Sequence, residues 1–273
     1  MRDSSRLSGR AARRAPRWLL PLAVIVVLIG AWQLAARWDV IADALDIKPF
    51  LIPAPSDVAQ SLWDDRSLLA DDAWVTVQEV LLGFALALVL GFGFALALHL
   101  SDTLRRAFYP LLVASQTVPV IAIAPILVVW LGFGLGPKLA IVALVCFFPI
   151  TVNTLDGLRS VDPELPRMMR TLDASRAQTL RRVEVPSALP YLLSGAKIAA
   201  VVSVIGAVFG EWSGADEGLG HLILVAQGQL QTARVFAAIV VLSALALVLF
   251  GTLALIERRI AWWGAREDRR VAL

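Results

Sequence analysis

Six stretches of this chain are long and apolar enough to cross a lipid bilayer, and no other feature narrows its fold so far: residues 18–36, 75–100, 108–131, 139–155, 189–209 and 236–256. A hydrocarbon core about 30 Å thick takes about 20 apolar residues of helix. Backbone polar groups in lipid must pair within their own segment, and none of the stretches alternates as a barrel strand does. The expected fold is all-α and polytopic, with about six transmembrane helices. A hydrophobic share of 58% and a mean hydropathy of +0.74 exclude an ordinary soluble domain. The third stretch carries Pro119 and Pro125, each able to interrupt a helix.

The positive charge sets the expected orientation. Arg2, Arg6, Arg10, Arg13, Arg14 and Arg17 precede the first stretch and place that end in the cytoplasm. Six crossings from there put 19 of the 25 Lys and Arg residues on the cytoplasmic side, with both termini. The opening basic run and apolar stretch read as an uncleaved signal anchor. The pI of about 9.5 thus reflects topology, and no basic fold module points to nucleic acid.

Catalytic and metal chemistry find little support. The single cysteine, Cys146, reads as a small buried apolar residue without metal-site spacing. "GFGLGPK" approaches a phosphate-binding loop but has Pro137 and Leu139 where glycine and Ser or Thr are needed. There is no G-x-S-x-G or H-E-x-x-H, and His99 and His221 are the only histidines. The chain is expected not to be an enzyme, and to hold neither metal nor cofactor.

The organisation expected is a basic segment 1–17, a first helix 18–36, an external loop 37–74, a membrane core 75–263 and a cytoplasmic tail 264–273. The loop is acidic, with Asp39, Asp43, Asp46 and Asp57 among its carboxylates. "FLIPAPSDVAQSLW" predicts an amphipathic surface helix capped by Ser56 or Asp57.

Between the fourth and fifth stretches lies "VDPELPRMMRTLDASRAQTLRRVEVPSALP". Asp162 can cap a helix opening at Pro163, and Leu165, Met168, Met169 and Leu172 recur at helical spacing as one apolar stripe. Pro166 is awkward there. Asp173 falls where the chain reverses and tolerates a left-handed turn. After Ala174, Ser175 with Gln178 forms a capping-box pattern, and the second helix is predicted to stop near Val185 because Pro186 follows. Arg176 falls on a solvated, arginine-rich face. Such a hairpin, spanning 162–185, either packs on the protein's own surface or docks in a groove of a soluble partner.

The stretch resembles the cytoplasmic EAA loop of ABC importer permeases, in the group serving nitrate, sulfonate and taurine, and most of all its thiamine-pyrimidine-precursor branch. The spacing from Asp173 to Val183, Val185 and Pro186 matches. Asp173 replaces the usual glycine, and Arg167, Met168 and Met169 stand where Glu-Ala-Ala is typical. "PVIAIAPILVVWLGFGLGPK", "FFPITVNTLDGLRSVDPEL" and "GEWSGADEGLG" are similar to family segments too, so the resemblance covers roughly residues 82–263. It implies a coupling helix that fits a separate ATP-binding subunit. It also implies a second permease copy, an external solute-binding protein, and a small organic solute as cargo.

Polar groups interrupting the apolar spans are the pathway candidates: Gln116, Thr117, Asn153, Ser203, Glu211 and Trp212. The rival reading is an ion-coupled secondary transporter or channel, which would use intramembrane ionisable groups. Of these, Glu79 and Lys197 fall near predicted span ends, where snorkelling accounts for them, and Glu211 reads as a loop acid.

Overall fold

The computed structural model describes residues 19–38, 48 and 51–261. The N-terminal arginines, Asp39, Asp43, Asp46 and the tail 264–273 lie outside them. The chain divides into two compact units at Gln60 and Ser61.

In the first unit, α1 (Leu19–Arg37) is apolar almost all round, and its 19 residues reach about 28 Å. Near its end Gln33 holds Ser56, accepting from the Ser56 N–H at 3.0 Å and donating to its hydroxyl at 3.1 Å. α2 (Pro55–Asp64) opens there, with Pro55 at the favoured first position. Asp57 does not cap it in the expected way. Its carboxylate reaches back from the third position to accept from the Ala54 N–H at 3.0 Å.

The second unit runs α3 (Arg66–Leu100), α4 (Asp102–Ser115), α5 (Val120–Leu131), α6 (Leu135–Arg159), α7 (Glu164–Thr171), α8 (Arg176–Thr179), a π turn (Leu180–Glu184), α9 (Val185–Trp212), α10 (Leu219–Gly228) and α11 (Thr232–Ile260). Among the described residues five helices are long and apolar enough to cross a membrane. The pair α4–α5, bent by 103°, is a sixth candidate.

Contacts between helices fix their directions. Gly83 lies against Val142 and Gly91 against Ile150, so α3 and α6 run parallel. Gly157 meets Tyr191 and Gly210 meets Lys138, so α9 runs antiparallel to α6. Two parallel crossings need an odd number of crossings between them, and the α4–α5 pair supplies it. The pair therefore carries the chain back across despite its break. The two helices approach closely where Gly195 faces α6: a Cβ there would lie 2.6 Å from the Pro149 carbonyl oxygen. Around this line Ile141, Val142, Ile150 and Leu155 of α6 and Ala196, Ala199 and Ala200 of α9 are all buried, with Leu155 clustered on Ala95 and Leu98 of α3.

Three sequence expectations are corrected. The span expected from residue 75 begins at Arg66, because its polar first turns have partners. Arg234 on α11 binds Asp65 through two hydrogen bonds of 2.9 and 2.7 Å, and Asp72 accepts from the Gly218 N–H at 2.9 Å. The span expected over 108–131 breaks between Ser115 and Val120, since Pro119 pushes Val118 out of helical conformation. At the break the Leu112 and Ala114 carbonyls accept from the Ser115 and Thr117 hydroxyls at 2.7 and 2.8 Å. The helix from Ser175 does not stop at Val185: residues Arg176–Trp212 form one continuous 37-residue helical body.

Candidate functional site

The hairpin after α6 is built by local rules. Asp162 accepts from the Glu164 N–H at 2.9 Å and opens α7 one residue later than expected. Pro166 is not awkward, because the first-turn N–H groups of a helix have no intrahelical partner to lose. At the other end, the Asp173 N–H donates to the Arg170 carbonyl at 3.1 Å and the Ala174 N–H to Met169 at 3.0 Å. That is a Schellman pair with the left-handed residue supplied by Asp173, φ 56°. Ser175 then begins α8 with a full capping box: its hydroxyl accepts from the Gln178 N–H, and the Gln178 side chain accepts from the Ser175 N–H.

α7 buries none of its residues. Leu165, Met168 and Leu172 are 41%, 54% and 69% exposed, so most of the stripe is left open by this chain. Met169 is half-buried.

The π turn resolves the difficulty of Pro186. Its wider ring bonds the Val185 N–H to the Leu180 carbonyl, so the helix widens where proline cannot donate and then resumes. The turn also aims Glu184 inward, 3% exposed. His99 Nε2, at the end of α3, lies 2.9 Å from one Glu184 carboxylate oxygen, and Arg176 binds the other. His99 Nε2 is also 3.2 Å from Arg176 Nη2. Arg176 is thus a partner of a buried acid rather than a free surface charge. The His99–Glu184–Arg176 cluster escaped sequence reasoning because its members come from positions 85 residues apart.

The expected pathway residues scatter. Gln116 and Thr117 are exposed at the α4–α5 break, and Asn153 is half-buried, donating to the Pro149 carbonyl at 2.8 Å. Trp212 is 38% exposed and donates to the Gly220 carbonyl at 3.0 Å. Ser203 and Glu211 are buried within this chain. Ser203 is fully enclosed between α9 and its neighbours and bonds its own helix at Ala200, and Glu211 is 1% exposed.

Nor is Glu211 a loop acid, or Glu79 a snorkelling one. At the end of the bundle opposite the hairpin, Glu79 is 1% exposed and bonds Lys138 at 2.6 Å. Glu211 accepts from the Thr76 hydroxyl at 2.6 Å and from the Gly220 N–H. Lys197 bonds Glu257 at 2.5 Å, so it too is paired across helices. Among the described residues no group of three or more His, Cys, Asp or Glu could hold a metal ion.

Comparison with known proteins points one way. The family described as "Binding-protein-dependent transport system inner membrane component" matches residues 87–262. The formylaminopyrimidine transport permease protein ThiX of Halalkalibacterium halodurans is 37% identical over 93% of this chain and all of that protein. The riboflavin transport system permease protein RibX of Chloroflexus aurantiacus is 35% identical over 90% of both. The taurine transport system permease protein TauC of Escherichia coli is 30% identical over 92% of this chain and 94% of that protein. In fold, the chain is similar to the inward-facing MetNI methionine ABC transporter, with TM-score 0.63 and 21% identity over 71% of this chain and 97% of that one.

Proposed function

Because the chain belongs to the binding-protein-dependent transport system inner membrane component family of ABC importer permeases, we propose that it forms the translocation pathway of an ATP-driven importer and receives its drive through the α7–α8 hairpin. The observation that carries this reading is the open apolar stripe on α7, joined by the Schellman turn to a helix that continues unbroken across the membrane. A stripe of this kind seats in a partner's groove, and the flanking arginines meet its acidic rim. The partner is a separate ATP-binding subunit that hydrolyses the nucleotide. A second copy of this chain completes the pathway, and an external binding protein delivers the solute. Gln116, Thr117, Asn153 and Trp212 remain its candidate lining.

The hairpin end faces the cytoplasm in this reading, because Arg105, Arg106, Arg159, Arg258 and Arg259 share it. The cargo is a pyrimidine of the thiamine-precursor type. Full-length similarity to a formylaminopyrimidine permease supports this over taurine or a sulfonate, whose permeases are less similar.

Met168→Asp tests the docking. Met168 is better suited than half-buried Met169, since a change there spares the chain's own packing. Losing one buried side chain and desolvating a carboxylate should weaken subunit binding about a hundredfold or more. Proteoliposomes carrying the assembled transporter should then lose formylaminopyrimidine uptake and stimulated ATP hydrolysis together. An intact complex with normal uptake would mean the stripe seats elsewhere.

A further inference from the structure

The transport reading leaves unused a cluster of buried charge at the end of the bundle away from the hairpin. Glu79 on α3 and Glu211 on α9 are each 1% exposed, and Lys138 on α6 is 9% exposed. The three carry two negative charges and one positive. An uncompensated charge so far from water is expensive, and more so within a membrane-spanning bundle. Other charge does not balance it. Asp72 lies further out on α3, half-buried, and is taken up by the Gly218 N–H at 2.9 Å. α10 contributes a backbone N–H, from Gly220.

The hydrogen bonds show where the compensation sits. Both Glu211 oxygens already accept, one from the Thr76 hydroxyl and one from the Gly220 N–H. One Glu79 oxygen accepts from Lys138 Nζ at 2.6 Å, and the other, Oε2, has no donor within reach. Yet Glu79 and Glu211 converge on the same pocket: Thr76, about one turn before Glu79, bonds Glu211, and Lys138, which bonds Glu79, lies against Gly210. Two carboxylates can share a hydrogen bond only if one of them carries a proton.

We propose that the Glu79–Glu211 pair is a proton-binding site, with the proton resident on Glu79 Oε2 and donated to Glu211. Lys138 then faces the neutral acid's carbonyl oxygen, Glu211 stays an anion, and the cluster is neutral. The bound proton completes the latch that holds α10 on the bundle. Glu211 grips Gly220, Thr76 accepts from the Leu219 N–H at 3.0 Å, and Trp212 donates to the Gly220 carbonyl. Gly218 packs so closely on the Glu211 carboxyl that any side chain would strike it.

The assignment makes the two acids unequal. A glutamine at 79 reproduces the protonated acid, its carbonyl accepting from Lys138 and its N–H₂ donating to Glu211. A glutamine at 211 must aim its N–H₂ at another donor. Purified permease in detergent at neutral pH should therefore melt at the wild-type temperature as Glu79→Gln and well below it as Glu211→Gln. Infrared difference spectra should show a protonated-carboxyl stretch in the wild type, shifted in deuterium oxide and lost in Glu79→Gln. A Glu79→Gln protein that melts far below wild type would mean the acid is ionised against Lys138, and the proposal falls. An absent carboxyl band, as a metal cation in place of the proton would give, overturns it equally. Neither measurement involves transport, so its failure is separable from that of the importer reading.

Discussion

Arg176 shows how far a single side chain can depart from its apparent place on a helical wheel. It sits in an arginine-rich segment, and the sequence gives no hint that one of those arginines answers a buried acid. Arg176→Ala leaves the Glu184 carboxylate with only His99. Because the arginine is itself more than half exposed, the loss should be about 1–2 kcal/mol rather than that of a fully buried pair. A melting temperature lowered by a few degrees would register it, and Arg182→Ala, on an exposed neighbour, should change nothing. Asp65 behaves differently from Arg176 because it titrates. The Arg234 side chain hydrogen-bonded to it holds its carboxyl below the ordinary value of 3.8, against a smaller opposing effect of burial. A depressed carboxyl stabilises the fold above the unfolded value and ceases to do so as pH falls through the folded one. Melting curves of the wild type should therefore drop more steeply below about pH 4 than those of Arg234→Gln, whose Asp65 has lost its partner.

At the level of the helices, much was legible. Apolar length located the spans, because the bilayer sets a minimum that little else imposes. The capping box at Ser175 and the reversal at Asp173 could be read because their partners lie within a few residues. What could not be read depended on distant partners or on a rule being overridden. The early start of α3 rests on Arg234 and Gly218, far along the chain. The continuation through Pro186 rests on a π turn, which no local pattern announces. Glu79 looked like a snorkelling residue because Lys138, 59 positions later, is brought to it by the parallel run of α3 and α6. The α6–α9 contact makes its own test. Gly195→Val would set a side chain against the Pro149 backbone, which cannot yield as a flexible side chain would. A cost of about 3 kcal/mol or more is expected, seen as poor recovery of folded permease after solubilisation.

For the molecule as a whole, sidedness is the first thing to establish, and the chain is well made for it. Its one native cysteine, Cys146, is fully buried and should stay silent to thiol reagents. Ser160→Cys, exposed beside the hairpin, should react only once the inner face is opened, and Asp216→Cys, exposed at the other end, should react in intact spheroplasts. The reverse pattern would invert the topology. The same long axis gives the π turn a meaning beyond its accommodation of proline. A residue inserted into an α-helix rotates everything before it by about 100° relative to everything after. Arg176 and Glu184, eight apart, would sit well out of line on a regular helix, and the wider turn brings them onto one side. The turn thus acts as a phase offset, setting the compass bearing of the hairpin about the rod that crosses the membrane. Deleting one residue from 180–184 would keep the same helices and apolar stripe, and point that stripe at a different quarter of the cytoplasm.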